Sequence, residues 1–213
     1  MWKLPGVEEC DETSVVIRSS QGQLIKWNGL KLHIHSGSLP EGLQQCMIYI
    51  KASVAGEYEF VENTSLVSAV YWLRCEPHCT FTKPITVEIQ HCSAKQNLSK
   101  LKIIRAFCSQ KKLPYYFKPL GGGRFDANTA YGAIEVKGFS GFGVTEDGPA
   151  LERLYYSQLF YRSYHGHQQR HEIHIVFTWN TEAHINVSHS SQFLLAISIS
   201  LLPLIGRKSE VSQ

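Results

Sequence analysis

The stretch VYWLRCEPHCTFTKPITVEIQHC, residues 70–92, holds two β-type runs separated by a turn. In ITVEIQ, Ile85, Val87 and Ile89 fall on one face while Thr86, Glu88 and Gln90 fall on the other, the period of two that a half-buried strand requires. VYWLR is a short β-branched and aromatic run, and CEPHCT, with its proline, breaks the chain between the two.

The same alternation extends outward in both directions. In LKLHIH, Leu30, Leu32 and Ile34 oppose Lys31, His33 and His35, and in CMIYIK, Cys46, Ile48 and Ile50 repeat the pattern. TSVVIRS, SAVYWLR, KLKIIRAF, PYYFK and YGAIEV read as further strands. Turn signals lie between them: WNG at 27–29, SGSLPEG at 36–42 and LGGGRFDANT at 120–129. No sustained 3.6-residue stripe interrupts the first two thirds of the chain, so the expected class is all-β, an antiparallel sandwich.

With 213 residues, 43% hydrophobic and 11% aromatic, the chain is long enough to bury a core. Its formal charge of +3 is spread without a basic block, which argues against nucleic acid as a partner. The densest basic region comprises Lys95, Lys100, Lys102, Arg105, Lys111 and Lys112. Within it, Lys100, Lys102 and Arg105 are candidates for docking an acidic partner, against the simpler reading of a solvated strand face. The start, MWKLPGVEECDETS, lacks the basic and apolar regions of a secretory signal, so a cytoplasmic chain is expected. Cys10, Cys46, Cys75, Cys79, Cys92 and Cys108 are then reduced thiols, and the sequons at Asn63, Asn97 and Asn186 carry no sugar.

TEDGPA, at 145–150, has the composition of a linker. Beyond it, LYYSQLFYR and HEIHIVFTW read as two strands, too few to stand alone in water. The tail is apolar from Phe193 to Ile205 but carries Pro203 and falls short of the roughly 20 residues of a spanning helix. Membrane contact through this run is an alternative to a buried or loosely packed end.

Three pieces in order, GQLIKWNGLKLHIHSGSLPEG, VYWLRCEPHCTFTKPITVEIQHC and GAIEVKGFSGFGV, resemble the ZU5 domain, the β-sandwich of ankyrins, zonula-occludens scaffolds, netrin receptors and death-domain adaptors. Gly22, Gly37, Leu39, Pro40, Tyr71, Trp72, Phe81, Lys83, Pro84, His91 and Cys92 carry the likeness; His35 stands where the family has proline and Ser38 where it has alanine. The resemblance implies a ZU5-like sandwich over 14–146, a partial UPA-like segment over 150–187 and a tail, 188–213, with no assigned element. It further implies a non-enzymatic protein–protein interaction module without cofactor, in scaffolding or signalling. Its partners would be cytoskeletal or death-domain proteins, or its own neighbouring domains.

KGFSGFGV, at 137–144, poses the one question of chemistry. A hydrolase elbow needs Gly-x-Ser-x-Gly, and Phe142 occupies the last position. Some ZU5–UPA modules cut themselves between Phe and Ser, which makes Phe139 and Ser140 the candidates for self-cleavage by hydroxyl attack on the preceding carbonyl. Gly138 supplies neither base nor hydroxyl there, so a histidine such as His33 or His35 would have to act. The plainer reading makes Phe139 and Phe142 core anchors joined by a bend.

For metal, Cys75, His78, Cys79, His91 and Cys92 offer the right atoms at weak spacing, and HGHQQRHEIH is not H-E-x-x-H. On a strand its His171 and His174 alternate faces, and His165 and His167 decorate a loop. No metal site is expected.

Overall fold

The computed structural model describes residues 3–106 and 113–148, together with the backbone of strands at 155–164, 170–179 and 195–201. Among the described residues thirteen strands precede residue 148, with a six-residue 3-10 helix (Lys95–Lys100) between the eighth and ninth. They are β1 (Val7–Arg18), β2 (Gln23–Trp27), β3 (Leu30–Ile34), β4 (Gln45–Gly56), β5 (Tyr58–Glu59), β6 (Thr64–Leu66) and β7 (Val70–Glu76). After these come β8 (Ile85–Gln90), β9 (Leu101–Ala106), β10 (Tyr115–Pro119), β11 (Arg124–Phe125), β12 (Tyr131–Val136) and β13 (Gly141–Asp147).

One sheet runs β1-β4-β7-β13-β9-β10-β5, with β6 also on β13; the other runs β11-β12-β8-β3-β2. All pairings are antiparallel except β10 with β5. The chain is thus the all-β sandwich that the alternation predicts. Leu30, Leu32 and Ile34 of β3 and Ile85, Val87 and Ile89 of β8 are buried, and they meet Ile48, Ile50, Tyr71 and Phe142 of the larger sheet in one cluster. Each such side chain contributes roughly 1.5–3 kcal/mol through burial.

Two turns show why the sheets close as they do. Trp27 pairs with Leu30, leaving Asn28 and Gly29 as a two-residue hairpin loop with φ of 46° and 78°, the left-handed conformations such a loop demands. The 36–42 turn is held from a distance: Thr82 Oγ1 donates to the carbonyl of Gly37 at 2.8 Å, and Lys83 Nζ to that of Ser36 at 2.7 Å.

The larger sheet also carries apolar residues on its outer side. Val70, Trp72, Ile104, Ala106, Tyr115 and Phe117 form a second cluster, joined by Tyr58 and Phe60. Strand alternation divides neighbours between the two: Tyr71 enters the main cluster and Trp72 the second.

Past the sandwich, β14 (Tyr155–Tyr164), β15 (Arg170–Trp179) and β16 (Leu195–Leu201) form an antiparallel three-stranded sheet. The two strands expected there are joined by a third from the apolar tail, so 195–201 is a strand. The other residues between 193 and 205 lie outside the described residues. Among the described residues no helix is long and apolar enough to cross a membrane.

Candidate functional site

The connection from β12 to β13 is fixed at every step. The Lys137 carbonyl accepts from Phe81 N at 2.8 Å, and the Phe139 ring meets the Phe81 ring edge-on, centroids 4.9 Å apart. Ser140 is 4% exposed; its carbonyl accepts from Leu73 N at 2.9 Å, and its hydroxyl donates to the carbonyl of Ala106 at the end of β9. The two flanking glycines differ. A Cβ on Gly141 would stand 2.7 Å from the Trp72 ring, so glycine is required there for β13 to approach β7. A Cβ on Gly138 would meet nothing nearer than Arg105 Nη2 at 3.9 Å, so neither space nor a left-handed φ demands glycine.

Of the histidines proposed as a base, His33 lies on β3 of the smaller sheet and His35 just beyond its end. His33 Nε2 is 2.8 Å from Glu88 Oε1, and Lys31 Nζ reaches the other oxygen at 3.2 Å while sitting 3.6 Å above the Tyr131 ring. His33 is therefore one member of a polar cluster on the outside of β3, β8 and β12. His35 is exposed, and its carbonyl accepts from Ser38 N at 3.2 Å.

The basic candidates divide. Leu101 and Ile103 enter the main cluster, Ile104 and Ala106 the second, so Lys102 and Arg105 project from opposite faces of β9. Lys102 is neutralised by Asp147, Nζ to Oδ2 at 2.6 Å, and Arg105 lies over the Phe142 ring at 5.7 Å. Lys100 is exposed at the end of the 3-10 helix; Lys111 and Lys112 lie outside the described residues.

The cysteines and histidines considered for metal also separate. Cys75 and Cys79 bring their sulfurs to 3.8 Å, with Cys46 close enough to perturb Cys79. His91 and Cys92 follow the far end of β8, whose six residues span about 20 Å. Burial first, then the neighbouring Cys75 thiol, pushes Cys46 up to about 11 and Cys79 up to about 12. Among the described residues no group of three or more His, Cys, Asp or Glu is arranged to hold a metal ion. The backbone register sets His171 opposite Ser163 and His174 opposite Phe160, while His165 and His167 lie outside the described residues.

His91 is perturbed in the direction opposite to Cys46 and Cys79. It is 2% exposed, packs edge-on against Phe125 at 5.8 Å, and neither ring nitrogen has a hydrogen-bond partner. Burial lowers its pKa to about 4, so it is neutral at physiological pH.

Sequence reasoning misses one surface. A groove of about 360 Å³ crosses β1, β4 and β7 on the outer side of the larger sheet, lined by Glu12, Ser14, Tyr49, Lys51, Arg74 and Glu76. Lys51 is only 8% exposed and pairs with Glu12 at 2.8 Å. Lysine inside the apolar run CMIYIKA is a signal in retrospect, since alternation places it on the face away from Ile48 and Ile50.

Residues 13–106, β1 through β9, match a family model. That model is the ZU5 domain. The ZU5 domain family is a family of protein-interaction modules. The ZU5 match covers less than half the chain and ends at Ala106, yet β12 and β13 are hydrogen-bonded within the same two sheets. The family resemblance carried by residues 70–92 is thereby confirmed, and the departures at His35 and Ser38 fall inside the ZU5 match. No curated protein matches the chain.

Proposed function

We propose that the chain is a non-enzymatic protein–protein interaction module, a ZU5-type sandwich followed by a partial UPA-like segment, acting in cytoplasmic scaffolding or signal transduction. The observation that carries this reading is the ZU5 match over 13–106, set beside the anchoring of Ser140. The Ser140 hydroxyl donates to the carbonyl of Ala106, which supports a structural role for this serine. The partner classes suggested by the family likeness are a cytoskeletal protein such as spectrin, a death domain, or neighbouring domains of the same protein.

Two measurements test the proposal. Intact mass under denaturing conditions should give a single species of 24.1 kDa; two fragments divided before Ser140 would make the module self-processing. Biolayer interferometry against purified spectrin repeats and a purified death domain should give saturable binding to one of them. Flat responses to both would remove these partner classes.

A further inference from the structure

The described sandwich ends in β1, a strand that pairs with β4 on one side and with no described strand on the other. Its register is unbroken: Val7 lies opposite Gly56, Ser14 opposite Tyr49 and Arg18 opposite Gln45, with no extra residue on either strand. Natural sheets guard such edges with bulges, prolines, lysines or very short strands. At twelve residues and with the sequence VEECDETSVVIR, β1 has no bulge, proline or lysine; its only guard is the charge of its acidic residues. Along its outer side every second residue presents backbone N–H and C=O groups without a ladder partner, about six residues in all.

The strand's chemistry limits what can fill that edge. It carries Glu8, Glu9, Asp11 and Glu12 against the single base Arg18, although the chain as a whole is basic. A second copy offers only Arg18 to these four carboxylates, whereas a basic segment can complement each of them. On the outer face, Glu12 and Ser14 are exposed beside the groove, Glu12 keeps a 39% exposed side chain despite its pair with Lys51, and Val16 is 40% exposed.

From this geometry we infer that β1 is the docking edge of the module, and that its partner is an extended, lysine- or arginine-rich segment of another protein that adds as a further strand. Main-chain hydrogen bonds to β1 hold the segment, and basic side chains at alternate positions lie against the exposed Glu12 on the outer face. The inference rests on the interaction-module reading and specifies its surface.

The test uses the full chain and three fluorescein-labelled peptides: alternating Lys and Val, alternating Glu and Val, and the Lys–Val peptide N-methylated at alternate residues. Anisotropy is measured at about 150 mM salt, where long-range attraction is screened. The Lys–Val peptide should bind saturably, and both the Glu–Val and the N-methylated peptides at least ~10-fold more weakly, because one loses charge complementarity and the other the ladder. The double variant Ser14→Lys, Val16→Lys, checked for folding by circular dichroism, should weaken the Lys–Val peptide by a similar factor of ~10. Equal binding of the N-methylated peptide, no saturable binding of the Lys–Val peptide, or an unchanged double variant would overturn the proposal. If spectrin repeats or a death domain bind while the edge fails these tests, the module reading stands and only the edge assignment falls.

Discussion

The hydroxyl of Ser140 donates to the carbonyl of Ala106, tying the first residue before β13 to the last residue of β9. The bond is fully buried, and it joins the connection after β12 to the middle of the larger sheet. Ser140→Ala should therefore lower stability by about 1–3 kcal/mol, since a buried carbonyl loses a donor without gaining water. Urea unfolding checks the value; a loss below ~0.5 kcal/mol would mean that the bond is dispensable.

The neighbouring glycines should respond in opposite ways. Gly141→Ala forces a methyl group to within 2.7 Å of the Trp72 ring and 3.1 Å of the Ala106 methyl, so a cost of about 1–3 kcal/mol is expected. Gly138→Ala has 3.9 Å of clearance and should be neutral or stabilising by ~0.5 kcal/mol through the unfolded chain. Thermal unfolding of the two variants side by side reads the contrast, which equal shifts would contradict.

Acid should destabilise the sandwich through His91. The unfolded chain protonates this histidine below about 6.5, while burial holds it neutral in the fold down to about 4. The unfolded state thus binds more protons between those values, and stability falls as pH drops from 6.5 to 4, by on the order of 3 kcal/mol. His91→Leu should flatten this part of the pH–stability curve. An unchanged slope would assign the acid sensitivity to other groups.

Ser38 offers the reverse case. It is 1% exposed and its hydroxyl has no hydrogen-bond partner, at the position where ZU5 domains resembling this one carry alanine. Ser38→Ala removes an unpaired buried polar atom without changing the turn, and should raise stability by about 1 kcal/mol. A loss of stability would show that the hydroxyl is satisfied in solution.

Thiol reactivity gives a chemical check of the same interior. With Cys46 at about 11 and Cys79 at about 12, no more than about a thousandth of either thiol is ionised at pH 8. Native-state alkylation of these two should be slower than in urea by at least ~10-fold, resolved by peptide mass mapping. Equal rates would mean that the thiols are not held in an apolar setting.

The strands of the smaller sheet were the most legible part of the sequence. Each of β3 and β8 has one face in the main cluster and one toward solvent, so Leu30, Leu32, Ile34 and Ile85, Val87, Ile89 carry a clean period of two. The Asn28–Gly29 turn was legible for a similar reason: few residues accept its backbone. The larger sheet was harder to read because both of its faces are partly covered. Val70, Tyr71, Trp72 and Leu73 are all buried, which erases the alternation, and the cover on the outer side comes from Tyr58, Tyr115 and Phe117, distant in sequence. The acidic start of β1 hid six residues of strand, 7–12, since pairing to β4 and not composition defines it. The docking candidates Lys102 and Arg105 are adjacent in a linear reading, but a strand turns them to opposite sides.

Tyr71 and Trp72, one peptide bond apart, anchor the two apolar clusters on either side of a single sheet. Neither cluster can melt alone without releasing the backbone that the other needs in place. Heat or urea should therefore dismantle the described sandwich as one cooperative unit, with tyrosine and tryptophan signals changing together. The wall between the two interiors is also the joint that makes them a single folding domain.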